Sequence, residues 1–300
     1  MPTMESTPPA QMLSAREAAD YLIGQVGLRR RITPAPEADP AAVTRQLLRT
    51  LRCIQLDPLD RVGTNPDLVV QARIDGVIRG DVYDHLLPGH AFEHFAKERC
   101  LLPPEAFPYY RDQAVMTPWW RLTERLKRLP ADVVEAVEAE VRERGPVTAK
   151  ELTDRGAVRP LDWSGWKGTA RATSMALEVL WGQCRVVVCG RTAHGKRYDV
   201  PQRALPEVAG LVTSRPFGEW SLLERVEAAG LVSRAAGPWW SMLRDTRTDG
   251  TVERLLERGE LEEVTVAGSG TARRPRRYLA PAGFRERRFE PDDGLMKVLG

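Results

Sequence analysis

Residues 184–201 read CRVVVCGRTAHGKRYDVP. The β-branched run Val186–Val188, the glycines at 190 and 195 and a second extended run closed by Pro201 predict two strands joined by a basic, glycine-containing loop. What precedes this hairpin gives it meaning. Residues 169–182 carry Met175, Leu177, Val179, Leu180 and Trp181 at helical spacing. Before them, Gly145-Pro146-Val147-Thr148-Ala149-Lys150-Glu151-Leu152 reads as turn, cap and helix, and residues 131–144, opening after Pro130, form an amphipathic helix. Three helices followed by a basic hairpin are the syntax of a winged helix.

Working outward, the same order recurs more loosely downstream. Trp220–Ala229, Pro238–Arg244 and Thr251–Arg258 predict helices, and LEEVTVAG and RRYLAP predict a hairpin across GSGTARRP. Upstream, Ser14 with Glu17 makes a capping box for a first helix reaching about Leu28. Pro34, Pro36 and Pro40 enforce a loop, and Val43, Leu47, Leu48 and Leu51 stripe a second helix. CIQLDPL follows as an extended segment, Asn65 is placed to cap a helix with Pro66 in its first turn, and residues 79–87 predict another short helix. The fold expected is mainly α with small β-hairpins (α+β), as tandem winged-helix units around a basic concave surface. Its divisions are a tail over 1–12, a winged-helix-like domain over 13–129, a second winged-helix domain over 130–212 and a third winged-helix-like unit, complete or incomplete, over 213–300.

Composition narrows the class. At 300 residues the chain can bury a large core. No run approaches the ~18 apolar residues a membrane span needs, and MPTMESTPPAQ lacks the basic and apolar regions of a signal peptide, so a cytoplasmic protein without a membrane partner is expected. The four cysteines, Cys53, Cys100, Cys184 and Cys189, have no CxxC spacing and read as reduced core thiols. No glycine-rich phosphate loop or dinucleotide fingerprint occurs, so no organic cofactor is expected. His85, His90 and His94 with Glu93 and Glu98 match no common zinc spacing, so no metal is expected either.

With a net charge of only +3, any argument for nucleic acid rests on where the charge sits. Arg191, Lys196 and Arg197 lie at one hairpin turn, and Arg273, Arg274, Arg276 and Arg277 cluster at the other. Each run alone fits a solvated face equally well, but two basic wings on helix-turn-helix units favour phosphate binding. Arg171, near Thr169, Thr173 and Ser174, is a further candidate. Among the tryptophans, Trp119-Trp120, Trp163, Trp166 and Trp239-Trp240 read mostly as core rather than as stacking platforms for a flipped base.

One segment suggests chemistry. In an extended chain Gln55 and Asp57 share a face while Ile54 and Leu56 pack on the other. An amide and a carboxylate side by side can grip one water, the carboxylate accepting its proton. That suits hydrolysis of an N-glycosidic bond through an oxocarbenium-like transition state. Taken on its spacing alone, a polar pair before Pro58 reads more readily as ordinary loop-entry chemistry, and no enzyme follows from it.

The chain resembles the AlkZ/YcaQ family of winged-helix DNA glycosylases at three separated places. LRCIQLDPLDRV resembles the stretch holding the family's Gln-hydrophobic-Gln or Gln-hydrophobic-Asp pair, AFEHFAKERCLLP its aromatic-acidic-His segment, and RYDVPQRALP its Tyr-Asp-hydrophobic-Pro signature. The likeness runs well from Leu13 to Pro206 and loosely beyond. It implies a monofunctional DNA glycosylase, with Gln55 and Asp57 as the catalytic water-binding pair and double-stranded DNA with alkylated bases as partner. The aspartate form is similar to the branch associated with N7-alkylguanine lesions and interstrand crosslinks, more than to the double-glutamine branch tied to bulky antibiotic adducts. A monomer is expected. Family members continue past the position of Leu299-Gly300 with an aromatic and acidic segment, which leaves open whether the third unit is complete or incomplete. The rival expectation is a non-catalytic tandem winged-helix regulator, distinguished by strong sequence preference for undamaged DNA.

Overall fold

A computed structural model describes residues 11–57, 63–96, 98–116, 122–161, 169–268 and 274–295. The elements run in chain order as β1 (Gln11–Leu13), α1 (Ala15–Gln25), α2 (Pro40–Leu51), β2 (Ile54–Gln55), α3 (Asn65–Gln71) and α4 (Asp81–Leu86). A hairpin of β3 (Phe92–Phe95) and β4 (Arg99–Leu102) leads to α5 (Phe107–Met116) and α6 (Leu122–Leu126). Next come α7 (Val133–Arg144), β5 (Val147–Thr148), β6 (Ala157–Val158), β7 (Ala170–Arg171) and α8 (Ala172–Gly182), followed by β8 (Val187–Thr192), β9 (Gly195–Asp199) and α9 (Pro201–Ala204). The chain closes with α10 (Phe217–Ala229), β10 (Val232–Ser233), α11 (Thr251–Glu257), β11 (Leu261–Val266) and β12 (Arg276–Pro281). Helices with small sheets of two to four strands, and no barrel among the described residues, match the expected α+β, winged-helix-like class.

The described residues fall into two compact units. One holds those of 34–49 and 53–217, the other those of 1–33, 50–52 and 218–299. In the first, the opening hairpin appears as β8–β9 with its turn at Ala193-His194, and β5 completes a sheet of order β5-β9-β8. Its core lies between α7, α8 and this sheet, on Val137, Val141, Leu177, Leu180, Val186 and Val188. A second three-stranded sheet has the order β2-β4-β3. The expected helix after Thr148 is replaced by a turn over residues 149–152. Thr148 is held in the strand by β9, and its N–H bonds the Glu151 carboxylate at 2.7 Å, so the capping contacts are spent on a single turn.

In the other unit the expected capping box forms, with Ser14 and Glu17 exchanging bonds of 2.7 and 3.2 Å. A strand already runs through the two residues before Leu13: Gln11–Leu13 pairs in parallel with Val264–Val266, covering the outer edge of β11 in a sheet ordered β1-β11-β12-β10. Of the helix expected over Pro238–Arg244, only a 3-10 turn at Pro238–Trp240 forms, because Met242 takes a left-handed φ of 65°. The residues of α1 share a small core with Val264, Ala280 and Phe284, so the first helix builds onto the C-terminal hairpin.

RYDVPQRALP proves to be scaffolding. Asp199 accepts from the Val200 N–H at 2.7 Å and pairs with Arg203 at 2.6 Å, and Arg203 donates to the Val141 and Arg142 carbonyls at 2.9 and 2.8 Å, closing the C-terminus of α7. Gly145 is required there, since a Cβ would lie 2.5 Å from the Asp199 carboxylate and 2.6 Å from the Val141 carbonyl. Gly145→Ala is therefore expected to destabilise the protein by about 1–3 kcal/mol in urea unfolding, whereas Gly210→Ala, with open space around it, changes little.

Candidate active site

Strand β2 is short, and its placement depends on its neighbours. Ile54 pairs with Leu101 and Gln55 with Cys100, and the Leu56 N–H continues the extended run by donating to the Arg99 carbonyl at 2.8 Å. Ile54 is 2% exposed, while Gln55 stands in solvent and Asp57, two residues on, is partly buried. Asn65 was expected to cap α3, but Thr64 does so, accepting from the Asp67 N–H at 3.3 Å. The buried Asp67 carboxylate fixes this arrangement by accepting from the Thr64 hydroxyl at 2.7 Å and the Gly80 N–H at 3.0 Å. Asn65 is thereby released to donate its side-chain amide to the Gln55 carbonyl at 2.7 Å, bracing the strand that carries the candidate pair.

Behind Gln55 the register aligns Cys100 and then His94 in one row across the sheet. His94 is 1% exposed, its ring tilted 30° to that of Trp181 with centres 5.1 Å apart, and 5.0 Å from the ring centre of Tyr110. Burial drives its pKa down to about 3, against the opposing effect of a hydrogen bond to the Gly182 backbone carbonyl. The Cys100 thiol is pushed up by its hydrogen bond with the Cys53 thiol and by burial. An uncharged layer thus backs the exposed amide.

The basic candidates meet different surroundings. Arg191 ion-pairs with the Glu93 carboxylate, and its guanidinium lies 4.6 Å from the Tyr83 ring centre. Lys196 is 3.7 Å from Glu93 and 3.9 Å from Glu178, and Arg99 reaches Glu178 at 3.1 Å. Burial lowers the Lys196 pKa, with both carboxylates opposing the shift. Arg197 donates to the Pro146 carbonyl at 3.1 Å; Arg171 donates to the Ala149 carbonyl at 3.2 Å. Thr173, on the same helix start, is buried and donates to the Thr153 carbonyl at 2.8 Å. In the other unit Arg274, Arg276 and Arg277 are exposed, Arg277 reaching Glu263 at 3.2 Å; Arg273 lies outside the described residues, as do Trp119, Trp120, Trp163 and Trp166. Of the remaining pair, Trp240 is core and Trp239 is exposed.

The sequence reading passed over the Glu93–Glu178–Arg99 network. Its signal was a glutamate inside the apolar strand Phe92–Phe95, which must find a cation if the strand is buried. No group of three or more metal-ligating side chains occurs among the described residues, nor does any helix there reach the length and apolarity of a membrane span.

His94 makes the site's pH response calculable in sign. Its folded pKa lies below the unfolded value, so stability is complete above about 6.5 and falls as pH drops toward about 3, by up to about 1.4 kcal/mol per pH unit. Urea unfolding from pH 7 to pH 4 is expected to show this slope, and His94→Phe to reduce it.

The order of helices and hairpins has a counterpart among solved structures. The chain is similar to Streptomyces sahachiroi DNA glycosylase AlkZ, with a TM-score of 0.57 and 17% identity over 92% of this chain and 72% of that one. A family model described as DNA glycosylase AlkZ-like matches residues 48–299, a span that includes β2, the Glu93 strand and both basic hairpins. The chain therefore belongs to the AlkZ-like DNA glycosylase family.

Proposed function

We propose that the protein is a monofunctional glycosylase that hydrolyses the N-glycosidic bond of N7-alkylated purines in double-stranded DNA, with Gln55 and Asp57 directing the water. The observation that carries this reading is the β2 geometry: Ile54 is buried and Gln55 is exposed, with Asp57 two residues on, in a chain of a DNA glycosylase family. In this scheme the Gln55 amide orients a water and the Asp57 carboxylate accepts its proton as the oxygen attacks C1′. The C1′–N9 bond breaks with its electron pair passing to the base. Alkylation at N7 has already made that base cationic, so it departs neutral without a general acid. The negative charge of Asp57 also stabilises the sugar cation of the transition state.

Interstrand crosslinks and bulky adducts joined through N7 present the same bond and form the wider substrate class. Exposed Arg274, Arg276 and Arg277, with Arg273 beside them in sequence, supply phosphate contacts from the second hairpin. The reading requires no cofactor or metal and takes a monomer, built of winged-helix units, acting where the cell keeps its DNA.

Release of free 7-methylguanine from methylated duplex DNA tests the proposal. The wild type is expected to release it, and Gln55→Ala and Asp57→Ala to slow release at least about a hundredfold while binding duplex within threefold of wild type, the range seen when a transition-state contact is removed. A wild type that binds one undamaged sequence tightly and releases no base would point to a regulator instead.

A further inference from the structure

The first basic hairpin looks outward in sequence and turns inward in space. Arg191 and Lys196 both address Glu93, whose side chain is 0% exposed, while the two cations are themselves only 31% and 18% exposed. Phosphate binding needs cations that can reach a polyanion, and every phosphate contact displaces a counterion. These two instead surround a carboxylate that would otherwise be a bare charge in the interior. Lys196 also reaches Glu178, and Glu178 reaches Arg99, so three cations and two carboxylates knit β9, β8, β4 and α8 together around β3. Trp181 of α8 holds the Glu93 backbone as well, donating from Nε1 to its carbonyl at 2.8 Å. Across the sheet, Glu93 pairs with Leu101 and Leu101 with Ile54, the residue immediately before Gln55.

We propose that Glu93 is a positioning residue that locks the hairpin β8–β9 onto the sheet carrying Gln55, and that Arg191 and Lys196 serve this lock rather than DNA phosphates. Through β3 and β4 the lock sets the depth of Ile54 and hence where the Gln55 amide stands. This extends the reading of Gln55 and Asp57 as the reacting pair and rests on it.

Two measurements decide it. Affinity for an undamaged duplex, followed by fluorescence anisotropy over a salt series, gives the slope of log K against log salt. Arg191→Gln and Lys196→Gln are expected to keep the wild-type slope, whereas the loss of one phosphate contact reduces its magnitude by about one. A reduction of that size in either variant would overturn the proposal, and this arm needs no excision, so it stands apart from any failure of the glycosylase reading. The second measurement is the single-turnover rate of 7-methylguanine release at saturating protein. Glu93→Gln is expected to lower that rate at least about tenfold with the duplex Kd unchanged, and Glu93→Asp, which keeps the charge, to recover most of it. An unchanged rate in Glu93→Gln, or a loss confined to Kd, would overturn the proposal. If Glu93→Gln does not fold, the rate in Arg191→Gln, whose side chain reaches the surface, carries the same prediction.

Discussion

A carboxylate sealed from water cannot stand alone, and Glu93 imposes that constraint on the middle of this chain. An unpaired charge in such a place costs several kcal/mol even after relaxation. The sequence answers with Arg191 and Lys196 from the two strands of a hairpin about a hundred residues further on, so that two distant segments must meet for either to be tolerated. The pairing is a poor source of net stability, since an apolar filling of equal volume would serve as well. Its value in the proposed lock is geometric: the charges tie β8–β9 to β3, and β3 is the far strand of the sheet that ends at Gln55.

The same economy appears at the other supports of the site. Asp67 settles where α3 begins, and because Thr64 takes the cap, Asn65 is free to hold the Gln55 carbonyl. Asp199 and Arg203 close α7 and leave no room at Gly145 for a side chain. RYDVPQRALP, one of the two longer family-like motifs, is therefore framework. The reacting pair proposed here is the short Gln55-Leu56-Asp57, whose chemistry lies in exposure and placement that no spacing reveals.

This division explains what was legible in the sequence. The hairpins β8–β9 and β11–β12 and the capping box of α1 follow from local rules, namely β-branched runs, turn glycines and a Ser-x-x-Glu pattern, and all of them form. The misses arise where tertiary partners override local preference. Thr148 joins a strand instead of starting a helix, Asn65 serves another backbone instead of its own helix, and Gln11–Leu13 becomes a strand only because β11 has an open edge. The basic residues show the limit most plainly. Arg191 and Arg276 look alike as hairpin arginines, yet one faces a buried glutamate and the other solvent, and that difference is invisible until the chain is folded.

In the proposed reaction a negative charge at Asp57 meets a sugar that becomes cationic. This pairing is tested most directly by comparing affinities for duplexes holding a cationic pyrrolidine abasic analogue or a neutral tetrahydrofuran one. The wild type is expected to prefer the cation by at least about tenfold and Asp57→Asn to erase the preference, as a site built for the transition state would. Equal binding of the two analogues by the wild type, or a preference that survives in Asp57→Asn, would contradict it.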